Sequence, residues 1–285
     1  MSATNPEESS RLQTTGSSPV AIWSISDVIL ALAILALFRV LALVPREWLA
    51  GEAKWVITGI ATLISQLFLL GYPILMARRR GLADAFRMPG LERFVLDAAL
   101  AFPVVIGLFL MLLCTGLVLS RLAPHTSLTP AVLEQAATAQ DYRFIIMIAV
   151  LAVTVAPVCE ETFFRGFVYR SLRARLPVPV AALIQSAIFA LLHTFGALHS
   201  IAVFFLGLIL TSVYEWRKSL VTPIFVHAGN NLMAVLGLLL LMYVAANSPV
   251  LGVTGHDRPE GGFVVESVAP DTGAANAGIA ASARG

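Results

Sequence analysis

Two adjacent glutamates and an arginine stand where an apolar run ends, in the stretch CEETFFR from Cys159 to Arg165. The run before them, FIIMIAVLAVTVAP, has the composition of a membrane helix. Placing one acidic or basic residue at the centre of such a helix costs about 2.5–3.5 kcal/mol on insertion scales. Charged residues inside membrane helices are therefore typical of functional sites. The stretch predicts a site within the membrane, because simple anchoring would not retain these charges.

The apolar runs that follow carry further polar residues, namely Gln185, His193, His227, Asn230 and Asn231. Residues four apart lie on one face of a helix. Glu161 and Arg165 have this spacing, so we expect them to form an ion pair. His227 and Asn231 have it as well. The spacing predicts that separate helices present polar groups toward a common centre.

Glu160 lies about 100° round the helix from Glu161 and is free to face another partner. Phe189 and His193 share a face of the next apolar run, and Phe189 is expected to flank the same cavity. A carboxylate in such a place can act as a general base toward water. His193 could hold the same water or bind a metal ion.

The histidine and asparagine of the last run, His227 and Asn231, can donate hydrogen bonds to a developing oxyanion. A base, a positioned water and an oxyanion hole suffice for amide hydrolysis without a covalent intermediate. The sequence has neither a GxSxG nor an HExxH motif. A zinc ion held by Glu160, His193 and His227 with one position open stays a second option, so the chemistry of the residues leaves the cofactor unknown.

The elements that must position these residues are membrane helices. Hydrophobic residues make up 58% of the 285 residues and charged residues only 13%, against about half and a quarter in soluble domains. Lipid offers the backbone no hydrogen-bond partner, so such runs must be helical. We predict an all-α, polytopic transmembrane helical bundle of about seven spans, with six to eight as the range. The runs lie near 22–45, 55–77, 95–120, 144–168, 179–194, 198–214 and 220–246, and the fifth and sixth are short enough to be tilted or partly re-entrant.

Basic residues concentrate in alternate loops between these runs. They are Arg78, Arg79, Arg80, Arg87 and Arg93, then Arg170, Arg173 and Arg175, then Arg217 and Lys218. The positive-inside rule places basic loops in the cytoplasm. We therefore predict an integral membrane protein with a cytoplasmic N-terminus, and a bacterial plasma (inner) membrane as its location.

Three blocks of the sequence carry a family resemblance. APVCEETFFRG (156–166), FALLH (189–193) and GLILTSVYEWRKSLVTPIFVHAGNNL (207–232) resemble the signature blocks of the CAAX prenyl endopeptidase family, also called the CPBP or abortive infection family of intramembrane proteases. The resemblance implies a helical membrane fold and cleavage of peptides near the cytoplasmic membrane surface. It implies as partners membrane lipid and a membrane-associated peptide or protein substrate, and no nucleic acid.

Carried over residue by residue, the resemblance implies that Glu160 activates the water together with His193. His227 and Asn231 would form the oxyanion hole. Orienting or structural roles would fall to Glu161, Arg165 and Phe189. The family has been described both as a metalloprotease and as a metal-independent glutamate protease, so the resemblance leaves zinc and metal-free chemistry open.

The ends of the chain differ from its apolar centre. We expect residues 1–21 to be a disordered polar tail, residues 22–143 to hold the first membrane helices, and residues 144–246 to form the catalytic region. Residues 247–285 are rich in Gly and Ala, and GGFVVESVAPDTGAANAGI (261–279) resembles the start of a PDZ domain. A single hairpin is marginally stable without partners, so we expect a disordered or truncated remnant in preference to a working peptide-binding module.

Two other classes of function fit the same polar residues. The protein could be a catalytically silent membrane scaffold or immunity protein, which several members of such a family are. It could also be an ion-coupled transporter that uses the buried carboxylates. Transporters commonly contain internal repeats, and the first three runs show no similarity to the last four, so the sequence favours the protease.

Overall fold

The computed structural model describes residues 23–41, 53–86, 88–122, 146–147, 149–193, 197–247, 253–257, 263–268, 270 and 279. The predicted polar tail 1–21 lies outside the described residues. The helices are α1 (Ile25–Leu41), α2 (Ala53–Arg79), α3 (Leu91–Leu122), α4 (residues 151–173), α5 (Val178–Leu191), α6 (Ala197–Arg217) and α7 (Val221–Asn247), with a 3-10 turn at Ala83–Phe86. Two strands follow, β1 (Val253–Asp257) and β2 (Phe263–Val268).

The described residues include four helices long and apolar enough to cross a membrane, judged by length and composition. They are Gly59–Arg79, Leu91–Thr115, His199–Arg217 and Val221–Leu240, and shorter apolar helices lie at Ile25–Phe38 and Val178–Leu191. The predicted all-α membrane bundle is confirmed. The sixth predicted run is a full-length candidate span, whereas the fifth is a short helix. The count of seven spans stays a prediction.

Helix α4 is a composite of two kinds of helical turn. Leu151–Val155 and Phe164–Tyr169 are π-helical, while Ala156–Phe163 and Arg170–Arg173 are α-helical. Single π turns inside helices are frequent at functional sites because they shift the register of the side chains. The two glutamates stand on the α-helical piece between the π turns.

Helix α4 is buried on all sides over its central part. Phe163, Phe167 and Tyr169 are fully buried, and so are charged Glu161 and Arg165. Helix α2 packs against one side of α4 and helix α5 against another. A helix buried all round forms the centre of its domain, so the neighbouring helices can direct side chains at α4 from several sides.

Helices α5 and α6 approach each other closely at Gly207. A Cβ at this position would lie 3.0 Å from the Cβ of Ser186 and 3.2 Å from its Cα. Small residues at helix interfaces in membranes allow this approach. The contact fixes the position of α5, which carries Phe189 and leads into His193.

The chain divides into two compact units, Met1–Val235 and Leu236–Gly285. In the second unit β1 and β2 form an antiparallel hairpin in which Val253 opposes Val268 and Asp257 opposes Phe263. A bulge lies between Thr254 and Gly255. Strand β2 lies within the PDZ-like stretch 261–279, and most of the remaining tail lies outside the described residues.

Candidate functional site

Three side chains from different parts of the bundle converge on one point. The Oε2 atom of Glu160 lies 3.7 Å from Nε2 of His193 and 3.8 Å from Nε2 of His227. These distances are too long for direct hydrogen bonds and suit a single water shared among the three atoms. The structure thus brings together the predicted base and both predicted histidines.

The protonation of the two histidines follows from their other ring nitrogens. Nδ1 of His193 donates to the backbone carbonyl of Phe189 at 2.7 Å, and Nδ1 of His227 donates to Oε1 of Glu161 at 2.8 Å. A carbonyl and a carboxylate only accept, so each Nδ1 carries the proton. In the neutral rings both Nε2 atoms are therefore acceptors, and they face a third acceptor, Oε2 of Glu160.

A fully buried ion pair supports this cluster. Oε1 of Glu161 accepts a hydrogen bond from Nη1 of Arg165 at 2.8 Å, and neither side chain is exposed. The ion pair predicted from their spacing is confirmed. The same Oε1 atom also holds His227, so one oxygen links the arginine to a histidine of the converging cluster.

Arg165 and Phe189 pack against the histidines from the other side. Nη2 of Arg165 donates to the carbonyl of Gly207 at 3.0 Å, and its guanidinium lies 4.8 Å from the centre of the Phe189 ring. That ring is 4.5 Å from the ring of His193 and 5.9 Å from the ring of His227. Phe189 therefore packs between the guanidinium of Arg165 and the two imidazole rings.

Exposure divides the cluster into an open and a closed layer. The side chains of His193 and Glu160 retain 20% and 12% of their accessible surface, whereas Glu161 and Arg165 retain none and His227 only 4%. Glu160 and His193 therefore form the accessible side of the cluster and His227 lies at its inner edge, whereas Glu161 and Arg165 are closed off from solvent.

Asn231 lies in a different arrangement from the histidines. Its Nδ2 donates to the backbone carbonyl of Ala152 at 2.8 Å. In the π turn the N–H of Ala156 bonds to the carbonyl of Leu151, and residue 157 is a proline, which has no N–H to offer. The carbonyl of Ala152 thus lacks a helical partner and the asparagine supplies one. One N–H of the Asn231 amide remains for another acceptor.

Gln66 on α2 is a site residue that the sequence interpretation missed. Its Nε2 donates to Oε1 of Glu160 at 3.1 Å, and the residue is buried. The sequence did indicate this residue, because a glutamine within an apolar membrane run is as unusual as the polar residues of the later runs. The position lies 94 residues before Glu160, so no helical spacing connects the two.

The donor set Glu160, His193 and His227 is one that zinc uses in catalytic sites. At zinc bond lengths of about 2.0–2.2 Å, tetrahedral ligand atoms lie about 3.4 Å apart, and the atoms observed are 3.7 and 3.8 Å apart. Within the described ranges no group of three or more His, Cys, Asp or Glu side chains is arranged to hold a metal ion. The two observed distances are about 0.3–0.4 Å longer than the tetrahedral spacing, and the choice between zinc and metal-free chemistry is one for experiment.

Part of the chain that carries the site is similar to known proteins. Residues 142–233 match the family model of the Type II CAAX prenyl endopeptidase Rce1-like proteins. The chain is also similar to the UPF0177 protein YxdF of Lactococcus lactis subsp. lactis (strain IL1403), with 33% identity over 78 residues. These residues are 27% of this chain and 42% of the relative, so the chain spans less than half of the relative's length. No solved structure matches the chain. The resemblance predicted from the three blocks is confirmed.

Proposed function

We propose that this integral membrane protein, whose residues 142–233 are CAAX-prenyl-endopeptidase-like, is an intramembrane endopeptidase that hydrolyses peptide bonds with a glutamate-activated water. The convergence of Glu160, His193 and His227 carries the proposal. Oε2 of Glu160 and Nε2 of the neutral His193 ring are two acceptors at this point, and they favour a water molecule that donates one hydrogen bond to each and directs its oxygen toward the open side.

In the proposed reaction the water donates to Oε2 of Glu160 and to Nε2 of His193. Glu160 takes a proton as the oxygen attacks the carbonyl carbon, and later gives that proton to the leaving amine. Because Glu160 and His193 are the accessible members of the cluster, the peptide approaches from their side. No step requires a side-chain nucleophile.

The oxyanion would be held by the last helix. Nε2 of His227 donates a hydrogen bond only when its ring is doubly protonated, since Nδ1 already donates to Glu161. The remaining N–H of Asn231 is the second donor. Preorganised donors of this kind lower the barrier because they need no rearrangement as charge develops.

The substrate we propose is a membrane-associated peptide or protein with a prenylated CAAX-type end, the class named in the description of the matching family. Cleavage would take place near the cytoplasmic surface, on the side of the basic loops. The N-terminus would then also be cytoplasmic. A cysteine in place of exposed Lys218, with Cys114 changed to serine, tests the orientation. It should resist a membrane-impermeant maleimide in intact cells and react after lysis, and labelling of intact cells would refute the orientation.

Hydrolysis is tested with the purified protein and a fluorogenic farnesylated CAAX peptide. Wild type should cleave it, and Glu160→Gln should lower kcat by about 10²–10⁴-fold, the usual contribution of a general base. Exposed Glu92 at the start of α3 provides the matched control, because Glu92→Gln removes a carboxylate far along the chain from the cluster. A Glu160→Gln protein that remains folded and keeps wild-type kcat would refute the proposal.

A chelator arm decides between the two kinds of chemistry. The glutamate-type reaction predicts that incubation with 1,10-phenanthroline leaves kcat unchanged. Loss of activity that returns on adding Zn²⁺ would instead assign Glu160, His193 and His227 to a metal centre formed in solution. In that outcome the peptidase proposal stands and its metal-free form is refuted.

A further inference from the structure

We infer that Gln66 is a positioning residue for Glu160, an inference that deepens the proposed peptidase function and rests on it. Gln66 lies on α2, outside the 142–233 segment that matches the family. Its amide N–H meets Oε1 of Glu160 at 3.1 Å. The other carboxylate oxygen, Oε2, is the atom that faces both histidines.

The hydrogen bond from Gln66 distinguishes the two carboxylate oxygens of Glu160, since Oε1 is held by the amide and Oε2 faces the histidines. Rotation about the last side-chain bond of a glutamate is soft, so a free carboxylate samples a broad range of angles. Anchoring Oε1 fixes the plane of the carboxylate and directs Oε2 at the point shared with His193 and His227. Catalytic geometry tolerates little misplacement, because a shift of about 1 Å can cost about 100-fold in rate.

The surroundings of Gln66 show that packing alone does not account for a glutamine. The neighbouring side chains Leu63, Ile64 and Leu67 are 42%, 52% and 58% exposed, so α2 turns apolar residues outward. Gln66 is 8% exposed and points the other way, at the carboxylate. A buried amide is unfavourable in an apolar setting unless it is hydrogen-bonded.

The amide of Gln66 makes one hydrogen bond among the described residues. Its Oε1 is buried and has no hydrogen-bond partner there. The hydrogen bond that is made goes to Glu160, the proposed base. It fixes the orientation of the amide, because a carboxylate accepts hydrogen bonds and so must face the N–H end.

The test compares one variant that keeps the length of the side chain with another that keeps its amide group. Gln66→Met keeps the length of the side chain and removes the N–H, whereas Gln66→Asn keeps the amide and removes a methylene. If Gln66 positions Glu160, kcat for the farnesylated CAAX peptide falls about 10- to 100-fold in Gln66→Met, as expected for loss of a hydrogen bond to a charged group. KM should stay within about twofold, because the bond acts on the base and not on the substrate.

Gln66→Asn should retain more kcat than Gln66→Met. A packing role predicts the reverse order, because methionine matches the volume of glutamine better. The matched control is Gln185→Met on α5, because Gln185 is also buried but hydrogen-bonds to Thr211, whose hydroxyl donates to its Oε1 at 2.6 Å. It should lose stability without the selective fall in kcat. Equal kcat values for Gln66→Met and wild type, or an equal fall in the control, would overturn the inference.

A second readout does not need peptidase activity. Dicyclohexylcarbodiimide modifies carboxyl groups within membranes, and the rate at Glu160 can be followed by mass spectrometry. We expect Gln66→Met to label faster at Glu160 than wild type and Gln185→Met to label at the wild-type rate, because only the first releases the carboxylate. If wild type cleaves no peptide, the proposed function fails, and the labelling rate at Glu160 alone decides the inference. Equal labelling rates in Gln66→Met and wild type would then overturn it.

Discussion

Asn231 donates its side-chain amide to the backbone carbonyl of Ala152, 79 residues earlier, at 2.8 Å. The carbonyl needs this partner because the N–H of Ala156 bonds to the carbonyl of Leu151 in the π turn, and the next residue, Pro157, has no N–H. An unsatisfied carbonyl costs more inside a membrane than in water, where solvent would replace the bond. The asparagine therefore ties α7 to the π turn that precedes the α-helical piece with both glutamates.

Asn231→Ala should destabilise the protein by about 0.5–1.5 kcal/mol, the net contribution of one hydrogen bond, because the bond to Ala152 is partly buried. Reversible unfolding in detergent, followed by circular dichroism, measures the loss. Asn230→Ala is the control, since its amide makes only a long 3.4 Å contact with Oδ1 of Asn231, and should cost less.

The explanation through Pro157 can be tested by a second substitution. Pro157→Ala gives residue 157 an N–H that can reach the carbonyl of Ala152 within the same π pattern. In that background Asn231→Ala should cost less than it does in wild type, and the difference is the coupling free energy of a double-mutant cycle. Equal costs in the two backgrounds would contradict the explanation that Pro157 leaves the carbonyl of Ala152 without a helical donor.

Glu161→Met should destabilise the protein by about 3–5 kcal/mol, because it leaves the charge of Arg165 buried without its partner. Removing both charges, in Glu161→Met with Arg165→Met, should recover most of that loss, since apolar side chains often replace a buried ion pair at little cost. Thermal unfolding of wild type, Glu161→Met and the double variant measures this recovery.

Activity should not recover together with stability in the double variant. His227 then has no acceptor for its Nδ1 proton, so the tautomer and orientation of the ring are no longer fixed. We expect kcat to remain about 10-fold or more below wild type, as for loss of one hydrogen bond to a charged group. A double variant with wild-type kcat would show that Glu161 serves stability alone.

The sequence predicted those parts of the site that local spacing determines. The ion pair of Glu161 and Arg165 follows from a separation of four on one helix, and it is present. The different direction of Glu160 also follows from helix geometry, and this residue faces the histidines as expected. The all-helical class followed from composition and the lack of hydrogen-bond partners in lipid.

The parts that the sequence did not predict depend on packing between distant segments. No periodicity links Gln66 to Glu160, and the bond exists because α2 packs against α4. The hydrogen bond from Asn231 to the carbonyl of Ala152 depends on a π turn. The hydrogen bonds of a π turn are shifted by one residue from those of the α-helix on which the spacing argument relied. A proline one residue inside the helical piece was the available sign that a carbonyl would need a partner from elsewhere.

Gly229 on α7 lies two residues from His227 and is packed against Val105 of α3. A Cβ at this position would lie 2.6 Å from Cγ2 and 3.1 Å from Cγ1 of Val105. Both methyl groups of Val105 lie close to this Cβ position. Rotating the stiff valine side chain would move one methyl group away and bring the other into contact. We expect Gly229→Ala to push α7 away from α3, to destabilise the protein by about 1–3 kcal/mol, and to lower kcat because His227 moves with its helix.

Val105→Ala should restore both stability and kcat in the Gly229→Ala protein, since it removes the two methyl groups that overlap. Gly107→Ala on α3 is the matched control, because no described atom lies within 4 Å of its Cβ position. That variant should be more stable by up to about 1 kcal/mol, the difference in helix propensity between glycine and alanine. Unfolding in detergent and peptidase assays on the four proteins measure these effects. A Gly229→Ala protein that loses kcat and does not regain it with Val105→Ala would show that the glycine serves the backbone itself and not the approach of the two helices.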